Sequence, residues 1–389
     1  MRPVPYARQA ISDDDIAAVA EVLRSDWLTQ GPAVPRFESA LTKYCGASHA
    51  VAVNSGTSAL HIACLALGLG PGDRLWTSAN TFVASANCAR YCGADVDFVD
   101  IDPGTFNLST AALADKLARA EREARLPKIV VPVHFGGQPC DVAEIARLAR
   151  RYGFAVVEDA SHALGAEYRG AMVGSCDHSD ITVLSFHPVK IITTGEGGAA
   201  LTRRADLAER MRLLRSHGTT REETQMEGPS EGPWYYQQIA LGWNYRMTDV
   251  QAVLGTSQLA RADEFVARRR TLALRYVSLL EGLPLAVQQP CEGARSAYHL
   301  FVIRLNDGAW PGGRAGVFRK MRERNVLVNV HYIPVPAQPY YRKLGFRIGD
   351  YPRADSYYRG ALSLPMFADL SDDDQEYVVA SLRSILTSH

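Results

Sequence analysis

From His49 onward, short apolar runs alternate with stretches of helical period. The runs fall at 50–53, 74–77, 96–99, 129–133, 155–157, 181–184 and 199–201. They are continuously apolar, which marks strands buried on both faces. Strands of that kind separated by helices predict an α/β domain with a mainly parallel sheet covered by helices. Ahead of it, Ser12-Asp13-Asp14-Asp15 opens an amphipathic helix running to about Arg24, with its acids where the helix dipole favours them. The breaker-rich stretch Trp27-Leu28-Thr29-Gln30-Gly31-Pro32 separates it from a second helix ending near Cys45.

A polar segment bearing Gly and Pro occupies 216–241, a loop long enough to be functional or mobile. After it a single long helix is expected over 248–280. It leads into a smaller C-terminal α/β domain with strands at 299–304 and 326–330, a helix at 314–324 and a last helix from Asp372. The domains are therefore read as 1–250, N-terminal segment included, and 251–389.

Charge narrows the function classes. The 389 residues carry 42 Lys+Arg against 42 Asp+Glu, which argues against a non-specific nucleic-acid binder. It leaves open a small anionic ligand held in a local pocket. No apolar run is long enough for a transmembrane helix, and the start MRPVPYARQAISDDD lacks the apolar core of a signal peptide. Seven scattered cysteines (45, 64, 88, 92, 140, 176, 291) fit reduced thiols in a cytoplasmic protein. Without a second Cys pair or an HExxH, Cys64, Cys88 and Cys92 read as core thiols, and no metal site is expected.

Gly68-Leu69-Gly70-Pro71-Gly72 imitates a dinucleotide fingerprint but lies between a helix and a following strand, the reverse of the order that presents amides to a pyrophosphate. It reads as a helix end. Three other segments carry chemistry. Asn54-Ser55-Gly56-Thr57-Ser58 follows a strand and opens a helix, the arrangement of a phosphate cradle; simple capping by Ser55 or Thr57 explains the same residues. Glu158-Asp159 stands at the carboxyl end of a strand, where ligands of open α/β sheets bind. Asp159 there can pair with a protonated ring nitrogen or cap the next loop. Lys190 follows another strand in Ser185-Phe186-His187-Pro188-Val189-Lys190, beside Gly195-Glu196-Gly197-Gly198. A desolvated lysine suits Schiff-base chemistry, the alternative being a surface lysine. A phosphate cradle, a strand-end Asp and a strand-end Lys, in that order, match the three handles of pyridoxal 5′-phosphate (PLP): phosphate, ring nitrogen and aldehyde.

These motifs resemble the fold-type I aminotransferases, and among them the DegT/DnrJ/EryC1/StrS sugar aminotransferases. Leu28-Thr29-Gln30-Gly31-Pro32, Gly242-Trp243-Asn244-Tyr245-Arg246-Met247-Thr248-Asp249, Val330-His331-Tyr332-Ile333-Pro334-Val335 and Leu362-Ser363-Leu364-Pro365 extend the likeness over about residues 5–385. Within the family, Phe82-Val83-Ala84-Ser85-Ala86-Asn87 and Arg215-Ser216-His217-Gly218 point to the transaminases of pseudaminic acid synthesis. The resemblance implies a PLP-dependent transaminase that moves an amino group, from L-glutamate by family habit, to the 4-keto carbon of a nucleotide-linked 4-keto-6-deoxy sugar. The expected acceptor is UDP-2-acetamido-2,6-dideoxy-β-L-arabino-hexos-4-ulose, the alternative another UDP- or dTDP-linked keto sugar.

It further implies that Lys190 binds the cofactor aldehyde and shuttles the substrate proton, and that Asp159 keeps the ring nitrogen protonated. Phe82 stacks on the ring, or is ordinary core. Gly56, Thr57 and Ser185 hold the phosphate, and His162 lies beside the ring unless it is a loop histidine bonded to backbone. Asn244 reaches into the partner's site, so a homodimer with shared sites is implied. Tyr6, Leu28, Thr29, Ser55, His331, Tyr332, Ile333 and Pro334 line the sugar-nucleotide pocket. Arg246 stands near that pocket or pairs with Asp249 or Glu196. The PLP-dependent sugar dehydratases of the same family carry histidine in place of the Schiff-base lysine, and Lys190 separates this chain from them.

Overall fold

The computed structural model describes residues 3–387. Among them, seven strands form one sheet in the order His49–Val53, Gly198–Thr202, Ile181–Ser185, Ala155–Asp159, Ile129–Val131, Arg74–Ser78, Asp95–Val99. Six run parallel, and Gly198–Thr202 runs against both of its neighbours. Both faces are covered, as the unbroken apolar runs require. Val51, Val53, Val131, Val157 and Val183 pack with the helices Gly56–Ala66, Ala84–Tyr91 and Ala205–Arg215. On the other face, Ala50, Ala52, Leu184 and Leu201 meet Ala33–Cys45, while Trp76, Val130 and Val156 meet Thr110–Arg122 and Val142–Tyr152. Each fully buried Val or Leu contributes about 1.5–3 kcal/mol.

The register brings functional strand ends together. Gly198 pairs with Val53 on one side and Ser185 on the other, and Asp159 pairs with Val183. One edge of the sheet therefore collects the turn after Val53, Gly198, Ser185 and Asp159.

The expected helix over 248–280 is two helices, Asp249–Leu259 and Ala262–Leu279. The break falls at Arg261, which has no breaker signature. Its guanidinium reaches Asp15 Oδ2 at 2.5 Å, and Ser257 and Gln258 bond the same carboxylate at 2.6 Å each. Asp15 is also the reciprocal partner of the Ser12 cap. The acidic first turn thus serves as a buried anchor for the later helix as well as a complement to its own dipole.

The C-terminal part holds an antiparallel sheet of Leu285–Val287, Phe301–Leu305 and Ala361–Leu364, with Gly313–Glu323 and Asp372–Thr387 packed on it. The strand expected at 326–330 is only Val326–Leu327, and it pairs in parallel with Val4–Pro5. Val4 enters this second core, although the sequence reading groups it with 1–250. Conversely, Asp249–Leu259 packs against Asp13–Leu23 and Ala33–Cys45. The polar segment contains a short ladder between Thr219–Thr220 and Gln237–Gln238. Among the described residues no helix is long and apolar enough to cross a membrane.

Candidate active site

The chain leaves His49–Val53 and turns at Ser55, which caps Gly56–Ala66 by accepting from the Ser58 amide at 3.1 Å. The first amides of a helix, here Gly56 and Thr57, have no acceptor within it, and the dipole places about half a positive charge there. Ser185 faces them: a Cβ built on Gly56 would lie 3.0 Å from Ser185 Cβ and 3.3 Å from its Oγ. Gly198 presses from behind, where a Cβ would stand 2.5 Å from Gly56 N. Amides and a hydroxyl converge around a space that only glycine leaves open. Ser55 performs the capping through the Ser58 amide, and this leaves the Gly56 and Thr57 amides available to an anion.

Asp159 lies across the same cavity, which measures about 430 Å³. Its Oδ2 accepts from Ser85 Oγ at 2.6 Å and its Oδ1 from the Ser161 amide at 3.1 Å. Lys190 also lines the cavity. Burial disfavours its ammonium and pulls the amine down to about 8, with the Asp159 carboxylate pushing the other way.

Histidines form the remaining wall. His162 Nδ1 accepts from the Gly136 amide at 3.2 Å, which places its proton on Nε2, 3.2 Å from Tyr332 Oη. Burial holds His162 neutral, reinforced by the positive charge of Lys190. His331 bonds Ser363 Oγ at 2.7 Å and is likewise held down, to about 3, by burial and Lys190. Phe82 lines the cavity with its ring 6.0 Å from that of Tyr332, and is 55% exposed, so it is not a core residue.

The structure therefore gathers Lys190, Asp159, Gly56, Thr57, Ser185, Phe82, His162, Tyr6, Ser55, His331 and Tyr332 around one cavity. Leu28, Thr29, Ile333, Pro334 and Asn244 stand outside that lining. Leu28 is occupied by its carbonyl bond to the Asp249 amide, and Thr29 bridges Thr248. Ile333 is exposed and Pro334 buried beneath the wall, because only the first half of the His331–Pro334 stretch borders the space. The exposed Asn244 is tied through its carbonyl to Asn54 Nδ2 at 3.3 Å. The Asp249 carboxylate takes the amides of Gly31 and Ala33, both at 2.8 Å, so its partner is backbone and not Arg246. No group of three or more His, Cys, Asp or Glu among the described residues is placed to hold a metal ion.

The sequence reading assigned no site role to Thr81, Ser85, His187, Glu196 or His299; all but Ser85 line the cavity, and Ser85 holds Asp159. Buried His134 also escaped notice, bonding Glu158 beside Asp159 at 2.7 Å. A serine in a first helical turn looks like a cap, and a histidine at the head of an apolar run looks like the edge of a strand. The spacing of His331 from Ser363 offers no signal either.

Residues 9–383 match the DegT/DnrJ/EryC1/StrS aminotransferase family. The chain belongs to that family. The spore coat polysaccharide biosynthesis protein SpsC of Bacillus subtilis (strain 168) is 39% identical over 386 residues, 98% of this chain and 97% of SpsC. PseC of Helicobacter pylori, an aminotransferase involved in the biosynthesis of pseudaminic acid, matches with a TM-score of 0.91 at 29% identity over 100% of both chains. The PLP form of Spr1654 from Streptococcus pneumoniae gives a TM-score of 0.88 at 28% identity, covering 99% of this chain and 98% of that one. This member of the family is a PLP-dependent aminotransferase with the type I fold.

The residues present fit that cofactor. Gly56 and Thr57 offer helix-start amides and Ser185 a hydroxyl at one corner of the cavity, Asp159 offers a fixed carboxylate, and Lys190 offers an amine. When bound, PLP supplies an electron sink for the substrate carbon. The lowered Lys190 value has a sign that can be measured. Only the neutral amine attacks an aldehyde, and a group titrating at about 8 is roughly one-tenth neutral at pH 7, against about one part in three thousand at the ordinary 10.5. Capture of PLP by the cofactor-free protein should accelerate with pH up to about 8 and then level off, as read by stopped-flow absorbance. A rate still climbing steeply at pH 10 would contradict the burial argument.

Proposed function

We propose that this aminotransferase moves an amino group from L-glutamate to the 4-keto carbon of a nucleotide-linked 4-keto-6-deoxy sugar. The proposed acceptor is UDP-2-acetamido-2,6-dideoxy-β-L-arabino-hexos-4-ulose, the step that serves pseudaminic acid synthesis in the cytoplasm. The observation that carries the reading is Lys190 and Asp159 facing one cavity whose third corner is the Gly56 helix start, in a chain similar throughout to PseC. Lys190 Nζ takes the proton from the carbon bearing the amine and returns it to the carbon that receives one. Asp159 holds a proton on the ring nitrogen through a charge-assisted hydrogen bond. The neutral imidazoles of His162 and His331 add no positive charge that would disfavour a protonated ring nitrogen.

The proposed active unit is a homodimer in which Asn244 completes the partner's site. Asn244 is exposed and outside the cavity of its own chain, and the nearby segment exposes Trp234, Tyr236 and Leu241. Exposed apolar side chains grouped in this way support a surface available to a second subunit.

The test is amino transfer from L-glutamate to a small panel of UDP- and dTDP-linked 4-keto-6-deoxy sugars, followed by mass spectrometry of the products. The proposed UDP sugar should give the highest kcat/KM. A preference of tenfold or more for a dTDP-linked acceptor would move the chain to another branch of the family, and no transfer to any member would overturn the reading.

A further inference from the structure

Asp159 is held in place by residues from the turn that also carries Phe82. Ser85 lies in the first turn of Ala84–Tyr91 and is fully buried, with its Oγ 2.6 Å from Asp159 Oδ2. An ionised carboxylate only accepts, so the single Ser85 hydroxyl proton goes to Asp159. The 2.8 Å contact between Ser85 Oγ and Thr81 Oγ1 must then run the other way, with Thr81 donating. The result is a directed chain from Thr81 through Ser85 to Asp159.

The opposite carboxylate oxygen takes the Ser161 amide. One fixed donor on each oxygen sets the plane of the carboxyl group and leaves its remaining lone pairs facing the cavity. Ser85 is itself constrained, because its amide bonds the Phe82 carbonyl and its own carbonyl accepts from the Cys88 thiol. Thr81, Ser85 and Asp159 are all buried, and a hydrogen bond in such surroundings is stronger than one in water.

We propose that Ser85, oriented by Thr81, is a positioning residue that aims the Asp159 carboxylate at the ring nitrogen of the bound cofactor. The inference rests on the reading of Asp159 as the partner of that nitrogen. It makes the turn 81–85 a single device that presents Phe82 to one part of the ring and fixes the carboxylate at another.

The test is a double-mutant cycle read as the PLP dissociation constant of cofactor-free protein, by fluorescence titration of the parent, Ser85→Ala, Asp159→Ala and the double variant. Ser85→Ala should weaken PLP about tenfold, the scale of a lost hydrogen bond to a charged group. In the Asp159→Ala background the same change should cost less than about twofold, because the group it positions is gone. A merely structural role for Ser85 would leave its penalty intact in that background, and this result would overturn the inference. Parent-like binding by Ser85→Ala would do the same. Parent-like binding by Asp159→Ala would instead remove the role of Asp159, and the positioning role with it.

Discussion

Lys190→Ala should abolish amino transfer while leaving the fold intact. Lys190 follows its strand in a turn held by backbone bonds, among them its own amide to the His187 carbonyl, and truncating the side chain disturbs none of these. What is lost is the amine proposed to bind the cofactor aldehyde and move the substrate proton. Proton transfer by a positioned group is by itself worth about 10²–10⁴ in rate. Steady-state turnover should therefore fall at least a thousandfold, with an unchanged far-ultraviolet circular dichroism spectrum. Turnover within about tenfold of the parent would show that another residue carries the chemistry.

The second large effect is a gain. If Asn244 serves the neighbouring subunit, the two lesions of a mixed Lys190→Ala/Asn244→Ala dimer fall in the same site. One site then carries both lesions and the other carries neither. Random exchange of two inactive homodimers gives half mixed dimers with one intact site each, so about a quarter of parental activity should return. The measurement is activity after subunit exchange, with exchange itself verified by differently tagged subunits. Its premise is checked first, since Asn244→Ala alone must be impaired. No regain despite complete exchange, or a fully active monomer in sedimentation, would rule out shared sites.

What the sequence made legible was local. A strand followed at once by a helix start, or by an acid or a lysine, is visible within a few residues, and this is how Gly56, Asp159 and Lys190 could be read. Parallel pairing of continuous apolar runs then places all three ends on one edge, because the chain must cross back between them. Contacts set by distant partners were not legible. Ser85 and Asp159 are 74 positions apart and Arg261 and Asp15 are 246 apart, so neither the carboxylate anchor nor the helix break leaves a periodic trace. The His331–Pro334 stretch was legible as a motif but not residue by residue. His331 and Tyr332 face the cavity, whereas Pro334 is buried beneath it and the adjoining Val335 amide bonds Ala79. Asn244 shows the same limit from another side: its backbone carbonyl accepts from Asn54, 190 positions away, and no local pattern signals that contact.

Lys190 is the residue proposed to join the cofactor in the cavity that Asp159 and the Gly56 helix start border. The direct measurement is borohydride reduction of the PLP-loaded protein, proteolysis and mass mapping of the pyridoxyl group. The label should fall on the peptide containing Lys190, and the visible absorbance band should be lost on reduction. A label confined to a different lysine, or none despite bound PLP, would contradict that assignment.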